Sequence, residues 1–143
     1  MNSYRIYLVS AVSIVVLVVL AMLWVNSERY YPLVRLALPD QSELIFIDSP
    51  WTDQKKCQDA NLKITGALRK NCGQCRIVDS CAKQLDPSWR AALEGQSIKN
   101  YVVHSGSLRI VVNAGNASKQ TCTVMAEQIT NNKKQAARCV SPL

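Results

Sequence analysis

The sequence predicts an α+β fold: a single N-terminal transmembrane helix, then a small disulfide-stapled domain with an antiparallel sheet packed against two or three helices. Three observations predict it. Ile6 to Val25 is uncharged and apolar apart from Ser10 and Ser13. As a helix it would measure about 30 Å, the thickness of a bilayer's hydrocarbon core. All six cysteines, Cys57, Cys72, Cys75, Cys81, Cys122 and Cys139, follow that run. An even cysteine number in a small domain behind a translocation signal reads as three disulfides formed in an oxidising compartment. Beyond the run, stretches of period-two alternation are interleaved with stretches of helical period.

These observations divide the chain into a short cytoplasmic N-terminus (1–5), a transmembrane anchor (6–25), a juxtamembrane tether or first strand (26–42) and an extracytoplasmic domain (43–143). Tyr4 and Tyr7 at one end of the anchor, and Trp24, Tyr30 and Tyr31 at the other, are the rings expected at headgroup boundaries. Arg5 is balanced by Arg29 and Arg35, so the positive-inside rule barely orients the anchor, and the cysteines decide the topology. The expectation is a single-pass protein of a bacterial-type inner membrane, with its C-terminal domain in the periplasm. Val25-Asn26-Ser27 resembles a signal-peptidase site, but the apolar run is longer than a secretory signal core, so the anchor is read as retained.

Within the domain, Val34, Leu36 and Leu38 alternate with Leu33, Arg35 and Ala37, and Leu44-Ile45-Phe46-Ile47 suits a buried strand. Pro39-Asp40-Gln41-Ser42 is a turn sequence that would join them as a hairpin. Ser49-Pro50-Trp51-Thr52-Asp53 opens a helix expected to run to Lys70, with Cys57, Ala60, Ile64, Ala67 and Leu68 on its inner face. Cys72 to Cys81 reads as a stapled loop. Pro87 opens a short helix through Glu94, with Trp89, Ala92 and Leu93 inward.

Tyr101–His104 and Ser107–Val112 flank Ser105-Gly106 and read as a hairpin. Its alternation puts Tyr101, Val103, Leu108, Ile110 and Val112 on a core face, and Val102, His104, Arg109 and Val111 on the other. A last helix is expected over 116–131, and a strand over 135–140 carrying Cys139. Asn116-Ala117-Ser118 fits a glycosylation sequon but is read as a helix cap. Cys122–Cys139 is the expected bridge between that helix and strand. Cys57, Cys72, Cys75 and Cys81 pair among themselves in one of three ways.

The domain is basic; the chain as a whole carries +7. Its cations are dispersed, without the aromatic and basic interleaving of a nucleic-acid groove, so no nucleic-acid partner is expected. Cys72-Gly73-Gln74-Cys75 is the one motif with catalytic potential, since a C-x-x-C pair can work in thiol–disulfide exchange. It follows an expected helix end rather than a buried strand. Four thiolates from Cys57, Cys72, Cys75 and Cys81 would make a zinc site only in a reduced compartment, and half of the usual paired spacing is missing. His104 is the only histidine, and no serine elbow or carboxylate pair is visible.

The expected function is therefore non-enzymatic, with no cofactor and no metal. The chain would be an envelope module that binds another membrane or envelope protein and contacts the bilayer through 6–25. By architecture alone this suits an immunity protein, a conjugative-exclusion protein or an assembly factor. The contact surface is expected at Val102, His104, Arg109 and Val111 together with Gln74 and Arg76. The alternative is a membrane-tethered oxidoreductase using Cys72 and Cys75. A module for a glycan or anionic lipid rests on charge alone.

Overall fold

The computed structural model describes residues 2–25 and 28–143, and the side chains of 2–9 and 25 are not among those described. The fold is α+β, with a six-stranded antiparallel sheet, four α-helices among the described residues and three disulfides. Helix α1 is Asn2–Val25. Among the described residues no helix is long and apolar enough to cross a membrane. The expected anchor falls partly outside them, as does Val25-Asn26-Ser27, because the described α1 side chains run only from Ser10 to Trp24. Those apolar side chains are exposed, Leu17 and Leu23 at 66% and Trp24 at 81%.

The chain joins the domain at Tyr30, whose N–H and C=O both bond Trp51 at 2.8 Å. Glu28 accepts from the Tyr30 hydroxyl and from Lys83 at 3.0 Å. The Tyr30 bond, then Lys83, holds the Glu28 carboxyl below its usual range.

Strands β1 (Tyr31–Ala37) and β2 (Glu43–Ile47) form the first hairpin, with Ala37 facing Glu43. Asp40 closes the turn by accepting from the Ser42 backbone and hydroxyl. Helix α2 (Gln54–Asn71) starts later than Pro50 implies, because Asp53 is the residue that caps it, accepting from Lys55 N at 2.8 Å. Its buried stripe is Cys57, Asn61 and Thr65, more polar than the apolar spacing implies.

Arg76–Ala82, expected as a loop, is strand β3. It pairs along its whole length with β1 and forms one edge of the sheet. Helix α3 (Pro87–Leu93) is capped by Asp86, which accepts from Ser88 N and Oγ.

Strands β4 (Tyr101–Ser105) and β5 (Leu108–Asn113) turn through Gly106-Ser107, one residue later than expected, with Ser105 opposite Leu108. Gly106 has φ +57°, and Ser107 does not share a positive φ. That combination belongs to the glycine-first hairpin turn whose twist suits the flanking strands. After a short 3-10 turn, Gly115–Ala117, helix α4 covers Ser118–Lys133. Asn116 lies inside that turn and does not cap α4, which has no side-chain cap; Ser118 Oγ instead accepts from Ala114 N. Strand β6 (Ala137–Val140) pairs with β4 and closes the other edge.

The sheet order is β3-β1-β2-β5-β4-β6. On one face Val34, Leu36, Leu44, Phe46, Val103, Ile110 and Val112 are buried beneath α2 and α4. On the other, Ile45, Ile47, Val102 and Val111 pack against Leu85, Ala92 and Ile98, so α3 and the segment after it complete a second core. Both faces of β2 are buried, which is why Leu44 to Ile47 carries no polar residue.

Candidate functional site

The three bridges are Cys57–Cys81, Cys72–Cys75 and Cys122–Cys139. All six cysteines are thus engaged. Among the described residues no group of three or more His, Cys, Asp or Glu side chains is placed to hold a metal ion. Cys72 is the C-terminal cap of α2, its N–H donating to Leu68 O. A thiol there faces the negative end of the helix dipole, which disfavours the thiolate; a reactive C-x-x-C thiol sits at the opposite, N-terminal end. The bridge between Cys72 and Cys75 closes the tight turn from α2 into β3.

The hairpin face expected to meet a partner is mostly covered. Val102 and Val111 are 1% and 2% exposed, because α3 and the segment carrying Ile98 pack on that side of the sheet. His104 is 7% exposed. Arg109 is half-buried and tied down, its Nε donating to Ala92 O at 3.1 Å and its Nη1 to Gly106 O at 2.7 Å and Leu108 O at 3.0 Å. These four residues do not form a free contact surface. A single hairpin cannot reveal this, since the covering comes from residues 85–98. Burial, then the charges of Arg109 and Arg138, pushes the His104 imidazole down to about 4.

Gln74 and Arg76 are exposed at the sheet edge. Arg76 lines a shallow cavity of about 260 Å³ with Arg35, Ala37, Glu43 and Val78, where the second core ends and the sheet face is open. Arg35 is engaged there by Glu43 at 2.8 Å and lies 5.9 Å from the Trp89 ring.

A largely apolar opening lies where sequence reasoning expected none. Helix α2 packs on β1 and β3, whereas α4 packs on β4, β5 and β6. Their facing side chains still bury the middle of the sheet, where Phe46 is 6% and Ile110 1% exposed. The two helices do not pack on one another, and an apolar groove runs between them. Its floor is Phe46, Leu108 and Ile110; Ile64 and Leu68 form one wall, and Met125 and Ile129 the other. The groove measures about 400 Å³, and Lys63 and Lys133 stand among its lining residues with Asn71, Gln128 and Asn132. In the sequence Ala67, Ile64 and Leu68 look like ordinary core positions. Only the six-strand width of the sheet, set by the unexpected β3, shows that the two helices stand apart on it.

The chain matches no family model, no curated protein and no solved structure. The functional reading rests on its own geometry.

Proposed function

We propose that this protein is a membrane-anchored, non-enzymatic binding module of the cell envelope, whose groove between α2 and α4 receives a helix of another membrane or envelope protein. The observation that carries the proposal is the apolar groove between the two helices, walled by Ile64, Leu68, Met125 and Ile129 and flanked by lysines. A groove of that shape takes the apolar stripe of an amphipathic helix. Lys63 and Lys133 select one with acidic residues beside the stripe.

Two observations support the anchor. The described α1 side chains, Ser10 and Ser13 apart, are apolar and exposed on every side, the pattern of a helix whose surroundings are lipid. The sequence continues that character through Ile6 to Val25, long enough for a bilayer core. Three disulfides support an extracytoplasmic, periplasmic domain and a cytoplasmic N-terminus. The oxidoreductase alternative gains no support, because Cys72 sits at the wrong end of its helix.

Photo-crosslinking in native membranes tests the groove. A crosslinking residue at Ala67 or Gln128 should yield a discrete adduct with one envelope protein, and the same residue at Gln96, on the far side of the sheet, should not. Ile129→Asp, and Lys63→Glu with Lys133→Glu, should abolish the adduct while leaving the disulfides intact. Equal adducts from Gln96, or adducts indifferent to both variants, would remove the groove from the mechanism. In spheroplasts, protease added outside should digest the domain; protection there would reverse the topology.

A further inference from the structure

The far end of the sheet holds a second feature, unrelated to the groove. Arg138 on β6 is directly opposite His104 on β4, which is directly opposite Arg109 on β5. Adjacent strands are about 4.8 Å apart, so three basic side chains stand in one row across three strands on one face. The imidazole is uncharged at neutral pH, so the two guanidiniums are like charges set two strands, about 9.6 Å, apart. Yet neither arginine is in an ion pair among the described residues. Asp48 is the acid that acts on Arg109, without reaching it as an ion pair.

The three residues line one cavity of about 310 Å³, completed by Gly106, Ala136 and Ala137. No carboxylate lines it. Small side chains at those three positions leave the basic groups room for a guest. His104 is more than nine-tenths buried, and its Nε2 has no hydrogen-bond partner. A buried polar nitrogen without a partner calls for an explanation, and a ligand is one. Arg109 is held by three backbone carbonyls through Nε and Nη1, so its guanidinium is pre-oriented rather than floppy. Arg138 is exposed and can swing onto a guest.

We infer that the cavity bounded by His104, Arg109 and Arg138 is a binding site for a phosphate group. Two guanidinium charges match a phosphate dianion. Arg138 can offer its planar fork, and Arg109 the Nη2 that its backbone bonds leave over. The neutral imidazole lines the same cavity. The bound anion would also offset the repulsion between the two arginines. The same chemistry is offered by free phosphate, by a soluble phosphomonoester and by the headgroup of an anionic lipid.

The lone histidine makes the test direct. The full chain, in neutral detergent, is titrated with inorganic phosphate at pH 7 and constant ionic strength held with chloride, and the imidazole carbon–proton signals are followed by NMR. A saturable shift of those signals is expected. Arg138→Glu, at an exposed position outside both cores, should weaken the binding roughly ten- to hundredfold, the loss of one charge-assisted contact. Arg76→Glu, an equal charge change at the other edge, should leave it within twofold. Mixed micelles with phosphatidic acid separate the sources. If they shift the same signals and reduce the response to added phosphate, the group is carried by a lipid. If they leave the response unchanged, it comes from solution. No saturable shift with either probe, or equal weakening by Arg138→Glu and Arg76→Glu, overturns the assignment.

Discussion

Removing the Cys57–Cys81 bridge should cost far more stability than removing Cys72–Cys75, although the second lies in the more conspicuous motif. The bridges close chain segments of 24 and 3 residues. On a chain-entropy argument the first loop is worth about 3.5 kcal/mol and the second about 1.6 kcal/mol. Cys57 is also fully buried, so truncating it leaves a small void worth about 1 kcal/mol more. Unfolding residues 28–143 carries an entropy of about 0.24 kcal/mol/K, so the expected loss in Tm is about 14–18 °C for the first and about 7 °C for the second. Double alanine variants of each pair, melted side by side and followed by the fluorescence of Trp51 and Trp89, provide the measurement. If the Cys72/Cys75 variant melts as low as the Cys57/Cys81 variant, the bridges do not act by closing loops, and the reasoning fails.

Three further outcomes follow from single residues. His104 titrates at about 4 in the folded chain against 6.5 when free, so the unfolded chain takes up its proton first as pH falls. The resulting stabilisation is complete above pH 6.5 and is lost between there and about pH 4, by about 1–2 kcal/mol after allowance for solvent screening. Urea midpoints in phosphate-free buffer should therefore fall more steeply with acid for the wild type than for His104→Gln, and parallel profiles would contradict this. Asn61→Ala removes the 2.8 Å bond from Nδ2 to Ser80 O and should cost about 1–3 kcal/mol. An unchanged urea midpoint would mean that this bond does not hold β3 to α2. Gly106→Ala forces a Cβ onto a residue at φ +57° and should cost about 1–2 kcal/mol by thermal melt. The one close contact there, Gln135 Nε2, is the tip of a flexible side chain that can move, so a much larger loss would point to a different cause.

The first hairpin was legible from the continuous apolar run Leu44 to Ile47, the second from the alternation that buries Val103 and Ile110, and α4 from the helical spacing of Cys122 and Ala126. Strand β3 was not, because an edge strand buries little; Val78, Asp79 and Ser80 are all exposed, and no alternation survives. The polar stripe of α2 was hidden for a related reason. Asn61 is buried because its amide serves the β3 backbone, a partner that exists only once that strand is known. Both candidate sites depend on these non-local facts. The groove needs the full width of the sheet, and the basic row needs the pairing of Arg138 with His104, residues 34 positions apart that no local pattern joins.

The placement of the two long-range bridges bears on why the groove stays open. An edge strand has a ladder partner on one side only and is the part of a sheet most easily lost. Here β3 is bound to α2 by Cys57–Cys81, and β6 is bound to α4 by Cys122–Cys139. Each edge is therefore tied to the helix that lies over it. The same tie acts on the helix. For α2 or α4 to slide inward and close the groove, it would have to drag its bridged edge strand away from β1 or β4, breaking that ladder. Hydrophobic burial would otherwise favour closing it, at about 25 cal/mol for each Å² removed from water. The disulfides thus stabilise the fold at its edges and oppose closure of the apolar groove between its helices.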